Sequence, residues 1–275
     1  MRFSGPALPP LICSVPKLLQ FSLDRRLIIN FNLLKTLLKS ESNAISAIKC
    51  SATLLVCNLD RTVFPKLKIL EDFGVPTNVI LKLLTTQSKS LMDHHHRFDE
   101  IFEMVKRVGI NPKSPLFAHA LVVLGKLPER AWVRKVENFK GLGWTEDQVI
   151  VAFSKHPYCM TASIEKIKKN MEFFRERFGW SPEYVSRSPV VLSFSYEKRV
   201  LPRSRVFRVL EEKGFYEGRI GARQLMMGDK EFLKRYVLKY CEQVPEIIDD
   251  DIRGKIEHFG LIIGGSEENI LAVNS

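Results

Sequence analysis

The sequence predicts an all-α fold, an α-solenoid in which helical repeats of about 35 residues follow one another in a superhelix. Apolar residues recur at helical intervals, and no stretch sustains the alternation of a strand. Glycines followed by a bulky apolar residue recur at spacings of 35, 34, 36 and 35 residues. These pairs are Gly74-Val75, Gly109-Ile110, Gly143-Trp144, Gly179-Trp180 and Gly214-Phe215.

Each of these glycines marks the end of a helix. The segments before them, such as "LKILEDFG" and "EFFRERFG", carry apolar residues at helical spacing. Glycine suits the left-handed position just past a helix, where the next apolar residue folds back onto the last turn. A tight corner is therefore predicted at each glycine.

New helices are predicted directly after the corners. Thr145 and Gln148 form the pattern of a capping box, and Ser181-Pro182 and Asn111-Pro112 each combine an N-cap with proline at the first helical position. Gly141, by contrast, is incidental, because the matching unit has Arg177 at that place.

Two units also carry a proline break, at His156-Pro157 and Ser188-Pro189. A basic residue follows nine positions after each proline, Lys166 in the first unit and Lys198 in the second. A helix, a glycine corner, a second helix and a proline break thus make up one repeat.

The ends of the chain differ from its middle. Ser22–Leu38 has the composition of Ser195–Leu210, and Asn43–Lys49 is predicted as its second helix, although the corner between them lacks glycine. We expect residues 1–20 to be disordered or a residual targeting segment, 21–250 to form the repeat superhelix and 251–275 to form an acidic tail. The first residues contain Ser and Pro and no acid before Asp24, which is compatible with a short organelle transit peptide.

The charge is strongly basic and unevenly distributed. Lys and Arg number 42 against 31 Asp and Glu. From Cys241 onward eight acidic residues face two basic ones, a net charge of −6, which leaves +17 on residues 1–240. A body of this charge predicts an anionic partner, with nucleic acid the first choice.

The composition argues against several other classes. Five scattered cysteines without a Cys-x-x-Cys pair argue against a disulfide framework or a zinc ribbon. The longest apolar runs, such as Ala120–Leu124, are too short to span a bilayer. His94-His95-His96 cannot converge on one metal ion from a helix, and Asp249-Asp250-Asp251 lacks the frame of a calcium loop. No P-loop, zincin or nucleophile-elbow motif occurs, so neither an enzyme nor a cofactor is expected.

The run from Lys140 to Phe215, "KGLGWTEDQVIVAFSKHPYCMTASIEKIKKNMEFFRERFGWSPEYVSRSPVVLSFSYEKRVLPRSRVFRVLEEKGF", resembles the plant mitochondrial transcription termination factor (mTERF) family. "KEFLKRYVLKYCEQVPEI" (Lys230–Ile247) does so too, and the similarity covers residues 22–250. The resemblance implies a superhelix of triple-helical repeats whose basic concave groove binds nucleic acid in mitochondria or chloroplasts. It also implies a role in transcription termination or initiation, intron splicing or ribosome-related RNA steps. Members usually carry a longer targeting peptide and more N-terminal repeats.

Duplex binding needs cations that meet successive phosphates, and a repeat supplies one cluster per unit. The candidates lie around the proline breaks and at the start of each following helix. They are Lys155, His156, Lys166, Lys168, Lys169, Arg187, Lys198, Arg199, Arg203, Arg205, Lys234, Arg235 and Lys239. Any one of them could instead pair with an acid on a solvated helix face, so the prediction rests on their sum.

Aromatic residues offer a second type of contact, because bases stack on aromatic faces. Trp144, Trp180 and Phe215 directly follow corner glycines, so we expect them to pack the corners instead. For three tyrosines the sequence decides less clearly between base stacking and core packing, although core packing is favoured. They are Tyr158, Tyr184 and Tyr196.

Three functions remain open at this point. The first is a regulator that binds double-stranded DNA through the basic groove as a monomer, in the mitochondrion or alternatively the chloroplast. The second is an organellar RNA-binding factor for intron splicing or ribosome assembly. The third is a protein-binding scaffold, since α-solenoids commonly bind peptides.

Overall fold

The computed structural model of the protein describes residues 8–92 and 95–263. Within these ranges all regular structure is helical and no strand occurs. The chain divides into two compact units, Met1–Arg134 and Lys135–Ser275. The predicted all-α class is confirmed.

The first unit is built from short and medium α-helices with two 3₁₀ helices and one π turn between them. Its α-helices are α1 (Leu8–Ser14), α2 (Ile28–Leu37), α3 (Glu41–Cys50), α4 (Leu59–Thr62), α5 (Phe64–Asp72), α6 (Thr77–Met92), α7 (His95–Val108) and α8 (Pro115–Lys126). The 3₁₀ helices are Pro16–Gln20 and Ala52–Leu55, and the π turn is Leu23–Leu27. Helix α9 (Glu129–Gly141) begins in this unit and ends in the second.

The second unit is likewise built from α-helices with 3₁₀ helices and π turns between them. Its α-helices are α10 (Glu146–Lys155), α11 (Ile164–Phe178), α12 (Pro182–Arg187), α13 (Leu201–Glu212), α14 (Ala222–Met226), α15 (Asp229–Phe232) and α16 (Asp250–His258). The 3₁₀ helices are Pro157–Thr161, Pro189–Ser193 and Pro245–Ile247, and the π turns are Tyr196–Val200 and Leu233–Leu238.

All of the predicted glycine corners are present. The five glycines have φ between +66° and +87°, the left-handed region that side chains disfavour. Lys39 takes the same conformation at φ +51°, 35 residues before Gly74. It supplies the corner of the N-terminal repeat, between α2 and α3, where the sequence offers no glycine.

The corner after α9 shows how the local sequence closes the turn. The amide of Trp144 donates to the Phe139 carbonyl at 3.1 Å, and the two rings lie 4.8 Å apart between centroids. Thr145 and Gln148 then cap α10 reciprocally, at 3.2 and 3.0 Å. The predicted capping box is confirmed.

One predicted helix start is wrong. Asn111-Pro112 opens a turn in which the Asn111 side chain accepts from the Lys113 amide, and α8 begins three residues later with Ser114 as N-cap. Ser114-Pro115 offers the same cap and proline chemistry. Ser181-Pro182, where no such rival follows, begins α12 as predicted.

The ends of the described chain are packed against the rest of their own units. Leu11 and Leu18 are buried near the N-terminus. Helix α16 inserts Ile252 and Ile256 into a core cluster that also contains Phe207. The later tail acids Glu267 and Glu268, residues 1–7 and the side chains of His94-His95-His96 lie outside the described residues.

Candidate nucleic-acid interface

Each proline break in the second unit produces a 3₁₀ helix followed by a newly capped helix. The 3₁₀ helices Pro157–Thr161 and Pro189–Ser193 lie side by side, and α14 packs against the second of them. Ser163 and Ser195 then cap the next helical segments through their hydroxyl groups. We call the three segments 155–169, 187–199 and 224–235 the turn edge.

Several candidate cations of the turn edge are open to solvent. Lys155 and Lys198 are exposed, and within the described part of the chain neither ammonium has an ion pair or hydrogen bond. Arg235 is exposed and lies 5.8 Å from the centroid of the Tyr236 ring. Lys234 is half-buried one residue earlier, and Lys239 lies 5.2 Å from the Tyr240 ring on the following turn.

A second group of candidates pairs with carboxylates at the surface. The pairs are Lys169 with Glu197, Arg187 with Glu183 at 2.6 Å, Arg205 with Asp249 at 3.7 Å and Lys168 with Glu172 at 3.9 Å. Exposed pairs of this kind contribute about 0–1 kcal/mol. A phosphate can therefore replace the carboxylate at little cost, and these cations stay available.

A third group turns into the protein. His156 Nε2 lies 3.2 Å from the Ser193 hydroxyl, and the Lys166 ammonium donates to the Ser193 carbonyl at 2.5 Å. Arg199 donates to the carbonyls of Leu225 and Met227 at 3.0 and 2.6 Å.

Arg203 is the most buried of all, with 1% of its side chain exposed. It donates to the carbonyls of Gln224 and Leu225 at 3.0 and 2.9 Å and to the Asp229 carboxylate at 2.7 Å. Lys166, Arg199 and Arg203 thus each hold a turn of the fold through hydrogen bonds.

The π turn Tyr196–Val200 explains why the spacing from the prolines pairs Lys166 with Lys198, which is not its structural counterpart. Lys166 and Lys198 each lie nine residues after a proline, yet the structural counterpart of Lys166 is Arg199, which also donates to turn carbonyls farther along the chain. The Ser195-capped helix starts with the π turn Tyr196–Val200, which inserts one residue. Lys198 is thereby left at the surface.

Sequence reasoning missed a set of buried polar donors. They are Asn30, Lys66, Lys135, Asn170 and Arg203, and each donates to backbone carbonyls 21 to 27 residues later in the chain. The signal was present in the sequence, since Asn30 and Lys66 stand 36 residues apart, and Lys135, Asn170 and Arg203 follow one another at 35 and 33 residues. A polar residue on an apolar helix face at the repeat period is the pattern to look for.

Electrostatics agree with this division between buried and open groups. Burial lowers the pKa of Arg203. Partial burial alone would raise the pKa of Asp229, but the hydrogen bond and charge of Arg203, with Arg199 and Lys255 nearby, lower it below its ordinary value. Burial raises the pKa of Cys159 to about 12, so this thiol stays protonated.

Near the glycine corners, three cations are paired with acids. Lys140 pairs with Glu146 at 2.7 Å, Lys213 with Glu246 at 2.8 Å, and Arg177 with Glu211. Hydrogen bonding to these lysines lowers the pKa of Glu146 and of Glu246. These three corner cations therefore differ from Lys155, Lys198 and Arg235, although Arg107 and Arg175 in the last helical turns before Gly109 and Gly179 are exposed.

The corner tryptophans pack as predicted. Trp144 and Trp180 are buried, and the Trp180 indole donates to the Ile220 carbonyl at 3.0 Å. Phe215 is partly exposed and lies against Tyr240.

Of the uncommitted tyrosines, Tyr184 accepts from the Ala222 amide, Tyr196 lies under the Lys169 ammonium at 4.1 Å, and Tyr158 neighbours His156. Two of the three therefore lie beside cationic or titratable groups of the turn edge.

Neither a metal centre nor a membrane span is found among the described residues. No three His, Cys, Asp or Glu side chains there come together as metal ligands would. No helix in the same residues is long and apolar enough to cross a bilayer.

Comparison with known proteins agrees with the helical repeats. The model of the mTERF family matches residues 1–115 and 91–233. Transcription termination factor MTERF15, mitochondrial, of Arabidopsis thaliana is 31% identical over 93 residues, which are 33% of this chain and 21% of that protein. The chain thus spans about a fifth of the length of this curated relative. It belongs to the mTERF family, whose members are helical-repeat, non-enzymatic nucleic-acid-binding factors of organelle gene expression.

Proposed function

We propose that the chain binds double-stranded DNA through the turn edge and influences transcription termination or initiation in the mitochondrion. The observation that carries the proposal is that some cations are exposed without a carboxylate partner while others are paired with acids. Lys155, Lys198 and Arg235 are exposed at successive turns without a carboxylate partner among the described residues, whereas Lys140, Arg177 and Lys213 near the corners are paired. The family match and the net charge of +17 on residues 1–240 support the same partner.

Binding by occupancy needs no chemistry at the site. Lysine and arginine at the turn edge replace counterions on successive phosphates, and the weakly paired cations, such as Lys169 and Arg187, join them as their carboxylates are displaced. A protein held in this way obstructs or recruits the polymerase at its site.

The salt dependence of binding tests this proposal. The logarithm of the binding constant for a DNA duplex should fall linearly with the logarithm of salt concentration, with a slope of about −0.9 for each phosphate neutralised. We expect a slope that corresponds to several phosphates. An affinity that does not change with salt would contradict the proposal.

Organellar RNA is a second candidate, favoured by the half-buried Tyr158 and Tyr196 beside turn-edge cations, where an unstacked base can pack on a ring. Competition between a DNA duplex and single-stranded RNA of the same sequence, at one salt concentration, separates the two. The DNA proposal expects the duplex to be displaced only by excess RNA. The reverse order would assign the protein to RNA.

A protein-binding scaffold is the alternative from another class. Charge reversal distinguishes it, because a peptide partner bound by apolar contacts tolerates changes that nucleic acid does not. Lys155 and Lys198 are the residues to reverse, since Arg199 and Arg203 hold turns of the fold and their loss would disturb any function. If the double variant Lys155→Glu and Lys198→Glu still binds the physiological partner, the result would favour the protein-binding scaffold.

The organelle is proposed as the mitochondrion on the name of the Arabidopsis relative, with the chloroplast as the alternative. Fractionation of cells that express the tagged full chain tests the assignment. We expect the protein with mitochondrial markers, and enrichment with chloroplast markers would overturn the choice.

A further inference from the structure

The buried polar donors of the second unit converge on the turns that carry the open cations. The Asn170 amide donates to the carbonyls of Leu192 and Phe194 at 3.3 and 3.1 Å, and Lys166, one helical turn earlier, donates to Ser193. Three consecutive carbonyls of one turn are therefore held by two side chains of α11.

The next turn is held in the same way. Arg199 and Arg203, again four residues apart, bond the consecutive carbonyls from Gln224 to Met227. Each pair thus connects the start of one long helix to the turn that precedes the start of the next.

Burying such groups is expensive, and apolar side chains of similar volume would stabilise a helix interface as well or better. Hydrogen bonds differ from apolar packing because they are directional and specify which carbonyl faces which donor. Asn170 illustrates the cost, since it is fully buried and its Oδ1 has no hydrogen-bond partner among the described residues. Buried polar side chains at these places therefore fix the position of the turn more than they add stability to the fold.

The held turns lead directly to the candidate contacts. Phe194 is followed by the Ser195 cap and by Lys198, whose ammonium is open. Met227 is followed by α15, by the exposed Lys230 and by Lys234 and Arg235. Where the turn carbonyls lie determines where these cations lie relative to those of the preceding helix.

We propose that Lys166 with Asn170 and Arg199 with Arg203 are positioning residues that set the spacing between successive open cations of the turn edge, so that these meet successive phosphates of one strand. The inference rests on the proposed function for its ligand and on the hydrogen bonds above for its geometry. It assigns a function to side chains that do not themselves touch nucleic acid.

Asn170→Leu gives the sharpest test, because the side chain is neutral and fully buried. It removes the two hydrogen bonds without changing the charge of the protein. We expect the affinity for a DNA duplex to fall about 5- to 20-fold and the salt slope to shrink by about 0.9, the value of one phosphate. A lost phosphate contact cannot come from the charge of Asn170 itself, so the change in slope reports on position.

Met171→Ala is the matched control, since Met171 is the next residue in the chain, is buried and takes part in none of these hydrogen bonds. It should lower the free energy of unfolding through a cavity yet keep the wild-type salt slope. Arg199→Lys is a second variant that conserves charge but loses the fork that reaches Leu225 and Met227, and it should reduce the slope as Asn170→Leu does. Circular dichroism at the binding temperature checks that each variant is folded.

Wild-type salt dependence keeps the two proposals apart. A wild type without a salt slope contradicts the proposed function. If the wild type has a salt slope, and Asn170→Leu and Arg199→Lys match it in slope and in affinity, the positioning role is overturned.

A measurement without nucleic acid completes the test: spin labels on unnatural side chains at positions 168 and 198 should show a broader distance distribution in Asn170→Leu than in Met171→Ala. Equal widths would contradict the inference.

Discussion

Arg203 and Arg205 stand two residues apart on α13, and their surroundings differ completely. Arg203 is buried against two carbonyls, the Phe232 ring and Asp229, whereas Arg205 is half-exposed beside Asp249. From sequence alone the two are equivalent candidates for phosphate contacts. Only the contacts that the Arg203 side chain makes with residues of α14 and α15 separate them.

Arg203→Met should therefore destabilise the fold, and Arg205→Met should not. The first change leaves Asp229 and two carbonyls without their donor, which costs about 2–3 kcal/mol of unfolding free energy, because Asp229 keeps some solvent. The second breaks one surface pair and should cost no more than about 0.5 kcal/mol. Urea denaturation measures both, and equal losses would contradict the assignment of Arg203 to the core.

The same pair predicts a dependence of stability on acid. The pKa of Asp229 is lowered in the folded protein, so its contribution is complete above the unfolded-state pKa, about 4, and disappears as pH falls through the lower folded-state value. Between pH 5 and pH 2, approximately, the wild type should lose unfolding free energy more steeply than Asp229→Asn. Parallel curves for the two proteins would show that the pair does not act in this way.

At the scale of elements, the glycine corners were predictable because their cause is local. A left-handed residue after a helix restricts the side chain whatever packs around it, so the period of glycine survives in the sequence. Gly141 and Gly143 flank Leu142 at one corner but differ in conformation, since Gly143 has φ +87° and Gly141 is the last residue of α9.

Gly143→Ala should cost roughly 1–2 kcal/mol of unfolding free energy, because its backbone conformation is strained for any side chain. Gly141→Ala should be neutral or stabilising by up to about 1 kcal/mol, since an added Cβ meets nothing within 4 Å there. Thermal or urea unfolding of the two variants compares them directly. A penalty at Gly141 as large as at Gly143 would contradict the role given to the corner.

Other elements could not be predicted, for reasons that lie beyond their own segments. Two cap-and-proline signals follow each other at Asn111-Pro112 and Ser114-Pro115, and local chemistry does not choose between them. The π turn at Tyr196–Val200 shifts the register by one residue, which spacing cannot reveal. The burial of Asn170 and Lys135 was not predicted, because the carbonyls that accept their hydrogen bonds lie 22 to 27 positions away in the chain.

For the whole molecule, composition predicts the class of partner but not the residues that meet it. The excess of positive charge, the family match and the open turn-edge cations support nucleic acid together. The structure shows which of the predicted cations reach solvent and which are buried or hydrogen-bonded to turns of the fold. The structure also supplies a contrast within one protein, since Lys140, Arg177 and Lys213 near the corners carry the same charge but are paired with acids.

The most direct test of the account compares two triple variants that each remove three positive charges. One is Lys155→Gln, Lys198→Gln and Arg235→Gln at the turn edge, and the other is Lys140→Gln, Arg177→Gln and Lys213→Gln at the corners. The salt slope for duplex DNA should shrink by about 2–3 in the turn-edge variant, with at least tenfold weaker binding at about 0.1 M salt, and stay near the wild-type value in the corner variant. Equal losses in both variants, or a larger loss at the corners, would contradict the turn edge as the site of binding.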